Sequence, residues 1–229
     1  MFYNFWRNLI VGLAYLLFGV QVRGRERLPR SGAYIVAPTH RSLLDIPFAA
    51  TVTRRRLRYM AKQEIFNGPF WTWVFNELGA VAVDRDGNDR AALKAIEAAL
   101  REGEPVVIFP EGTRRGGPEL GPIASGTAYA ALKAGVPVVP VGIGGSEDPV
   151  VRYRWLPWWS RVTVVVGDPI PVAPTEGTVK RSAITALDDE LRTRLQACFD
   201  EAQAWADARA DKLGGSGRPR GPGEPGKRG

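Results

Sequence analysis

The chain has 229 residues, 45% of them hydrophobic, which suits one large domain with a real core. Its 31 Lys and Arg against 24 Asp and Glu leave a formal charge of +7, pointing to anionic partners: lipid headgroups, coenzyme A phosphates or nucleic acid. One histidine excludes an H-E-x-x-H zinc site, and one cysteine excludes C-x-x-C chemistry and an intrachain disulfide.

At the amino end, Leu9–Val20 carries no charge and follows Phe2, Tyr3, Phe5, Trp6 and Arg7. Such a run makes a helix of roughly 18 Å, short of the ~30 Å hydrocarbon core. No small-x-small cleavage site follows, so a secretory signal is not the reading. Residues 1–22 are expected to form an interfacial or half-inserted membrane-associating helix, with Tyr3, Trp6 and Tyr15 at the headgroup level. A core-packed helix is the alternative. An α/β domain is expected over residues 23–213.

Ala33–Ala37 reads as a strand, and His40 stands on the loop leaving it. The Arg54-Arg55-Arg56-Leu57-Arg58 cluster reads as a solvated loop, or as a dock for an anionic leaflet or a donor's phosphates. Strands are expected at Leu57–Ala61 and Ala80–Val83, the latter running into Asp84-Arg85. Helices are expected at Pro69–Leu78 and Asn88–Gly103. The strand Val106–Phe109 leads into the glycine-rich loop Pro110–Gly117. Ser125–Gly135 is a further helix before strands Pro137–Gly142 and Arg161–Val166. Trp155, Trp158 and Trp159, interleaved with Arg152, Arg154 and Arg161, are a second interfacial patch or the filling under a long loop. Leu187, Leu191, Leu195, Cys198, Ala202 and Trp205 recur at helical spacing, so a long amphipathic helix covers the domain with Cys198 as a small buried hydrophobe. From Gly214 to Gly229 the chain is Gly- and Pro-rich and is expected to be disordered. The alternation predicts a single α/β domain with a mostly parallel sheet flanked by helices.

Two constellations carry chemistry. Histidine is the usual general base near neutral pH, and His40 stands five residues before Asp45. Asp45 is then an orienting partner, as in a triad; alternatively Ser42-Leu43-Leu44-Asp45 is a capping box that needs no catalysis. The second constellation is Glu111-Gly112-Thr113-Arg114-Arg115, where adjacent arginines on a glycine-rich loop suit a phosphate, or are simply solvated. In an open α/β sheet, ligand sites lie at the carboxyl ends of strands, and His40, Arg85 and this loop all follow such ends.

His40-x4-Asp45, Val83-Asp84-Arg85, Phe109-Pro110-Glu111-Gly112-Thr113-Arg114 and Val136–Val141 resemble the four ordered motifs of the glycerolipid acyltransferases. The resemblance spans about Arg23 to Gly145, with a weaker match at Val162–Ile170. It implies that His40 is the base and Asp45 its partner. Arg85, Glu111, Gly112, Thr113 and Arg114 then form the acyl-acceptor site, with Lys62 and Arg115 as additional basic positions. The implied reaction moves a fatty acyl group from acyl-CoA or acyl carrier protein to the free hydroxyl of lysophosphatidate. It needs no cofactor and no metal. Another lysolipid acceptor, or thioester hydrolysis by the same His–Asp pair, is the alternative. Implied partners are membrane lipids at the cytoplasmic face of the cell membrane. Nucleic acid is not among them, because the arginines are dispersed and no recognition motif is present. Many members carry lysine where this chain has Ala124, which shifts phosphate recognition onto Arg85, Arg114 and Arg115.

Overall fold

The computed structural model describes residues 2–62, 67–77, 79–83, 89–147, 161–175 and 177–212. Arg85, the Trp155–Trp159 patch and the tail from Gly214 lie outside the described residues.

Among the described residues, seven strands form one sheet: β1 (Gln21–Arg23), β2 (Ile35–Pro38), β3 (Arg58–Lys62), β4 (Ala80–Val83), β5 (Val106–Val107), β6 (Val138–Gly144) and β7 (Thr163–Val166). Their spatial order is β1-β7-β6-β2-β5-β3-β4. All pairs are parallel except β6 with β7. β7 lies antiparallel beside β6, and β1 runs parallel to β7 at the edge. The mixed α/β architecture matches the expectation from sequence.

Among the described residues, six α-helices flank the sheet: α1 (Phe2–Phe18), α2 (Asp45–Ala49), α3 (Pro69–Glu77), α4 (Asp89–Arg101), α5 (Gly126–Ala134) and α6 (Arg181–Asp211). Successive residues of a strand point to opposite faces, and β2 is buried on both. Tyr34 and Val36 join Phe48, Val141 and Ala14 on the α1–α2 face. Ile35 and Ala37 join Ile96, Ala131 and Leu191 on the α4–α5–α6 face. Alternation within an unbroken apolar run thus builds two cores at once.

The predicted stripe of the long helix is where expected: Leu187, Leu191, Leu195, Cys198 and Ala202 are buried on α6. Burial pushes the Cys198 thiol up to about 11, as an apolar packing role requires. What the stripe did not reveal is how close α6 lies to β6. A Cβ at Gly142 would stand 2.1 Å from Cys198 O, and one at Gly144 would stand 2.4 Å from the Ala202 carbonyl carbon. Only glycine admits that approach.

The boundary expected after residue 22 falls inside β1, which pairs with β7 residue for residue from Gln21 to Arg23. Helix α1 is also tied to the domain. Ala14 is buried, Phe18 meets Phe48 edge-on at 5.3 Å, and Arg7 donates to the Ala50 and Thr53 carbonyls. Yet its outer face is apolar: Phe5 is 64% exposed and Leu16 70%, with Leu9 and Leu13 on the same stripe. The helix is therefore core-packed on one side and bare on the other. No helix among the described residues is long and apolar enough to cross a membrane.

Candidate active site

Strands β2 and β5 are neighbours at the centre of the sheet, so the loops leaving their carboxyl ends meet. His40 leaves β2, and its Nδ1 stands 3.4 Å from Asp45 Oδ2. Asp45 opens α2, and the loop between it and His40 brings the two side chains together. The Asp45 carboxylate is fully buried; its Oδ2 also accepts the Arg41 N–H at 2.5 Å and the Ser42 N–H at 2.6 Å. The two readings of Asp45 therefore coexist. It reaches back to Ser42 as a capping box would, while facing the histidine. The reciprocal half of the box is absent, because Ser42 Oγ accepts from Leu44 N–H and the helix starts only at Asp45.

Phe109 stacks on the imidazole, centroids 4.1 Å apart and planes inclined by 29°. With one ring face covered and Nδ1 directed at Asp45, the Nε2 edge makes no hydrogen bond among the described residues. The His40 side chain remains 15% exposed. The arrangement suits proton transfer at Nε2, with Asp45 fixing the tautomer and stabilising the imidazolium.

Glu111 holds the loops together from beneath. Its Oε2 accepts the His40 N–H at 3.1 Å, and its Oε1 accepts Arg41 Nη1 at 3.1 Å and the Gly121 N–H at 3.0 Å. Its side chain is fully buried, so in this structure Glu111 ties the two loops together. The partner in this arrangement, Arg41, was missed in the sequence. It has no periodicity to mark it; the available signal was an arginine beside the sole histidine and a glutamate on the neighbouring strand end.

Arg41 is also fully buried in its side chain. It donates to the Arg115 and Glu119 carbonyls, pairs with Glu147 at 3.0 Å through Nε, and lies 4.7 Å from the Phe199 ring centroid. Glu111 and Glu147 thus share one guanidinium, while Asp45 takes the backbone N–H of the same residue. Burial raises the Glu147 pKa, and the negative charges of Asp45 and Glu111 add to that; the Gly117 N–H and Arg41 oppose it.

Gly112, Thr113, Arg114 and Arg115 sit on the exposed loop above this network. Gly112 has φ of 66°, which explains a glycine there although a Cβ would meet nothing. Arg114 is exposed. Arg115 donates its N–H to His40 O at 3.0 Å, while its side chain crosses Gly121. Ala124 is exposed and donates its N–H to Pro110 O at 2.8 Å, so this position borders the same loop. Lys62 and Val83 are paired at the ends of β3 and β4; the pairing of Tyr59 with both Val107 and Ala80 sets them three residues on, level with Pro110. Lys62 is thereby at the same edge of the sheet as His40. The N–H groups of Arg41, Ser42, Leu44 and Asp45 all have partners within the protein, so they are not free to stabilise an oxyanion.

A buried carboxylate behind a lone histidine, at the carboxyl ends of central strands, is an arrangement able to move a proton at Nε2. The chain belongs to the Acyltransferase family, whose model matches residues 19–144, and is an acyl-transferring enzyme. It is 26% identical over 195 residues to the 1-acyl-sn-glycerol-3-phosphate acyltransferase of Bacillus subtilis, covering 85% of this chain and 95% of that one. The protein of the same description from Pseudomonas aeruginosa is 29% identical over 206 residues, covering 87% and 75%. The crystal structure of the 1-acyl-sn-glycerophosphate (LPA) acyltransferase from Thermotoga maritima shares the fold. Its TM-score is 0.66 at 24% identity, over 85% of this chain and 78% of that one.

Proposed function

We propose that this enzyme transfers a fatty acyl group from an acyl thioester, acyl-CoA or acyl carrier protein, to the free hydroxyl of 1-acyl-glycerol 3-phosphate, giving phosphatidic acid. The single observation that carries the reading is His40 held between Asp45 and Phe109 with Nε2 outward. Nε2 takes the hydroxyl proton as the oxygen attacks the thioester carbonyl. The carbon–sulfur bond then breaks, and the imidazolium returns the proton to the departing thiolate. Asp45 favours the charged intermediate state of the ring. No cofactor takes part. Arg114 and Arg115, with Arg85 and Lys62, hold the acceptor phosphate; positioning of that kind lowers a barrier by up to about 7–11 kcal/mol. The relatives' shared substrate name supports this acceptor.

The enzyme works at the cytoplasmic face of the cell membrane, where its acceptor resides. The apolar stripe of α1 supports this reading, since Phe5, Leu9, Leu13 and Leu16 offer a face of the kind that lies in a bilayer interface. Phe70 and Trp73 of α3 extend it, with Trp73 4.5 Å from Phe2. A panel of lysophosphatidate, other lysolipids and glycerol 3-phosphate, offered with both donors, tests the assignment. Lysophosphatidate should be preferred and phosphatidic acid formed; free fatty acid as the main product would make the enzyme a hydrolase.

A further inference from the structure

On the flank of α1 opposite α3 lies a cleft of about 560 Å³, bordered by Arg7, Arg25, Arg30, Arg54 and Arg55 and by no carboxylate. None of the five has an acidic partner among the described residues. Three are held in place by neutral groups. Arg7 donates to the Ala50 and Thr53 carbonyls, Arg25 to Tyr15 Oη, and Arg55 to the Gly32 and Gly103 carbonyls at 2.6 and 2.8 Å. Arg30 and Arg54 are exposed and make no hydrogen bond or ion pair among the described residues. Fixed guanidinium groups with uncompensated charge are an anion site in waiting, and planar donors of this kind match a phosphate.

The cleft is separate from the catalytic centre. Gly32 and Gly103 precede the amino ends of β2 and β5, whereas His40 follows the carboxyl end of β2. At about 3.3 Å per residue, the strand puts roughly 20 Å between the Arg55 end and the imidazole. Along α1, Asn8, Val11 and Tyr15 line the cleft, while Leu9, Leu13 and Leu16 form the bare stripe beside it. A ligand with a phosphate head and apolar chains is served by both surfaces at once.

We infer that this cleft binds the headgroup of an anionic phospholipid, distinct from the acyl acceptor, and so fixes the orientation of the enzyme on its membrane. The inference rests on the membrane reading of α1 and adds headgroup selectivity to it. The arginine side of α1 meets the headgroups while the stripe enters the acyl region. Diffuse attraction is worth about a fivefold gain per basic residue; a cleft concentrates that gain in a few named side chains.

The full-length protein is sedimented with phosphatidylcholine vesicles and with vesicles containing phosphatidylglycerol. Arg30→Gln with Arg54→Gln is compared with a control of equal charge loss on α6, Arg181→Gln with Arg194→Gln. The cleft variant should bind phosphatidylglycerol vesicles about thirtyfold more weakly than wild type, with phosphatidylcholine binding unchanged and the control close to wild type. Equal losses in both variants, or none in the cleft variant, would overturn the inference. Displacement of the anionic-vesicle binding by coenzyme A or inorganic phosphate would also overturn it, assigning the cleft to a soluble phosphate ester. Leu13→Glu with Leu16→Glu tests α1 by itself. Wild type that binds phosphatidylcholine vesicles but shows no preference for phosphatidylglycerol overturns only the cleft; unchanged phosphatidylcholine binding in the leucine variant overturns only the insertion of α1.

Discussion

Arg41 and Glu111 pair at 3.1 Å with neither side chain reaching solvent, joining the loop that carries the histidine to the loop that carries the exposed arginines. The pair is the point at which two strand ends become one site. Removing either partner leaves a buried charge uncompensated, which typically costs about 3–5 kcal/mol. Glu111→Ala and Arg41→Ala should therefore lower urea stability by that amount and lower kcat as His40 loses its backbone anchor. Arg41→Lys should recover little, because one ammonium cannot reach Glu111, Glu147 and two carbonyls together. If Glu111→Ala unfolds at the wild-type urea concentration, the pair is not what joins the loops.

His40→Ala should reduce turnover by about 10²–10⁴-fold without altering the fold. Asp45→Asn should reduce it strongly as well. The carboxylate also accepts two backbone N–H groups, so about 1–3 kcal/mol of stability should go with it. Near-normal turnover in purified Asp45→Asn would return this residue to a purely structural role.

Much of this was legible in the sequence, and the failures have physical causes. The strands Ala80–Val83 and Thr163–Val166, the second expected from Arg161, and the α6 stripe were legible because apolar residues cluster in the first two and recur at helical spacing in the third. His40 and Asp45 were legible because a lone histidine has no competitor. Arg41 was not, since a buried arginine looks in sequence like any solvated one. Its burial depends on Glu111 and Glu147, which are 70 and 106 residues away. Strand β1 was missed because three residues carry no period, and its pairing comes from β7 alone. The bare face of α1 was foreseen as apolar, but its anchoring through Arg7 and Phe18 was not.

The raised pKa of Glu147 gives a signed pH dependence. The folded chain favours the protonated carboxyl relative to the unfolded chain, whose value is near 4.5. Stability from this group is therefore full below that value and lost as pH rises through the raised folded value. Glu147→Gln removes the dependence, so the difference in stability between variant and wild type should grow in the variant's favour across that window. Urea melts at a series of pH values measure it; a difference that stays flat or changes the other way contradicts the burial-dominated account.

Arg114→Ala should chiefly raise KM for a phosphate-bearing acceptor, lowering kcat/KM about ten- to a hundredfold, with KM for the acyl donor little changed. Arg114→Lys should restore only part. Ala124→Lys, which places a cation beside Pro110, should preserve or improve the use of lysophosphatidate. Kinetics with acceptor and donor varied in turn separate these effects; a change confined to donor KM would move Arg114 to the thioester side.

Membrane binding through α1 should survive salt. Apolar insertion persists when charges are screened over a Debye length of about 3 Å at 1 M salt. The protein should stay with phosphatidylcholine vesicles under those conditions, and complete release would reduce the association to electrostatics.

The most direct test of the central claim is product analysis by mass spectrometry with purified wild type and His40→Ala, each given an acyl thioester and either lysophosphatidate or the same lysolipid lacking its phosphate. Wild type should form phosphatidic acid from lysophosphatidate and far less product from the phosphate-free acceptor, and His40→Ala should form almost none from either. Equal use of both acceptors by wild type, or undiminished product from His40→Ala, would contradict the account.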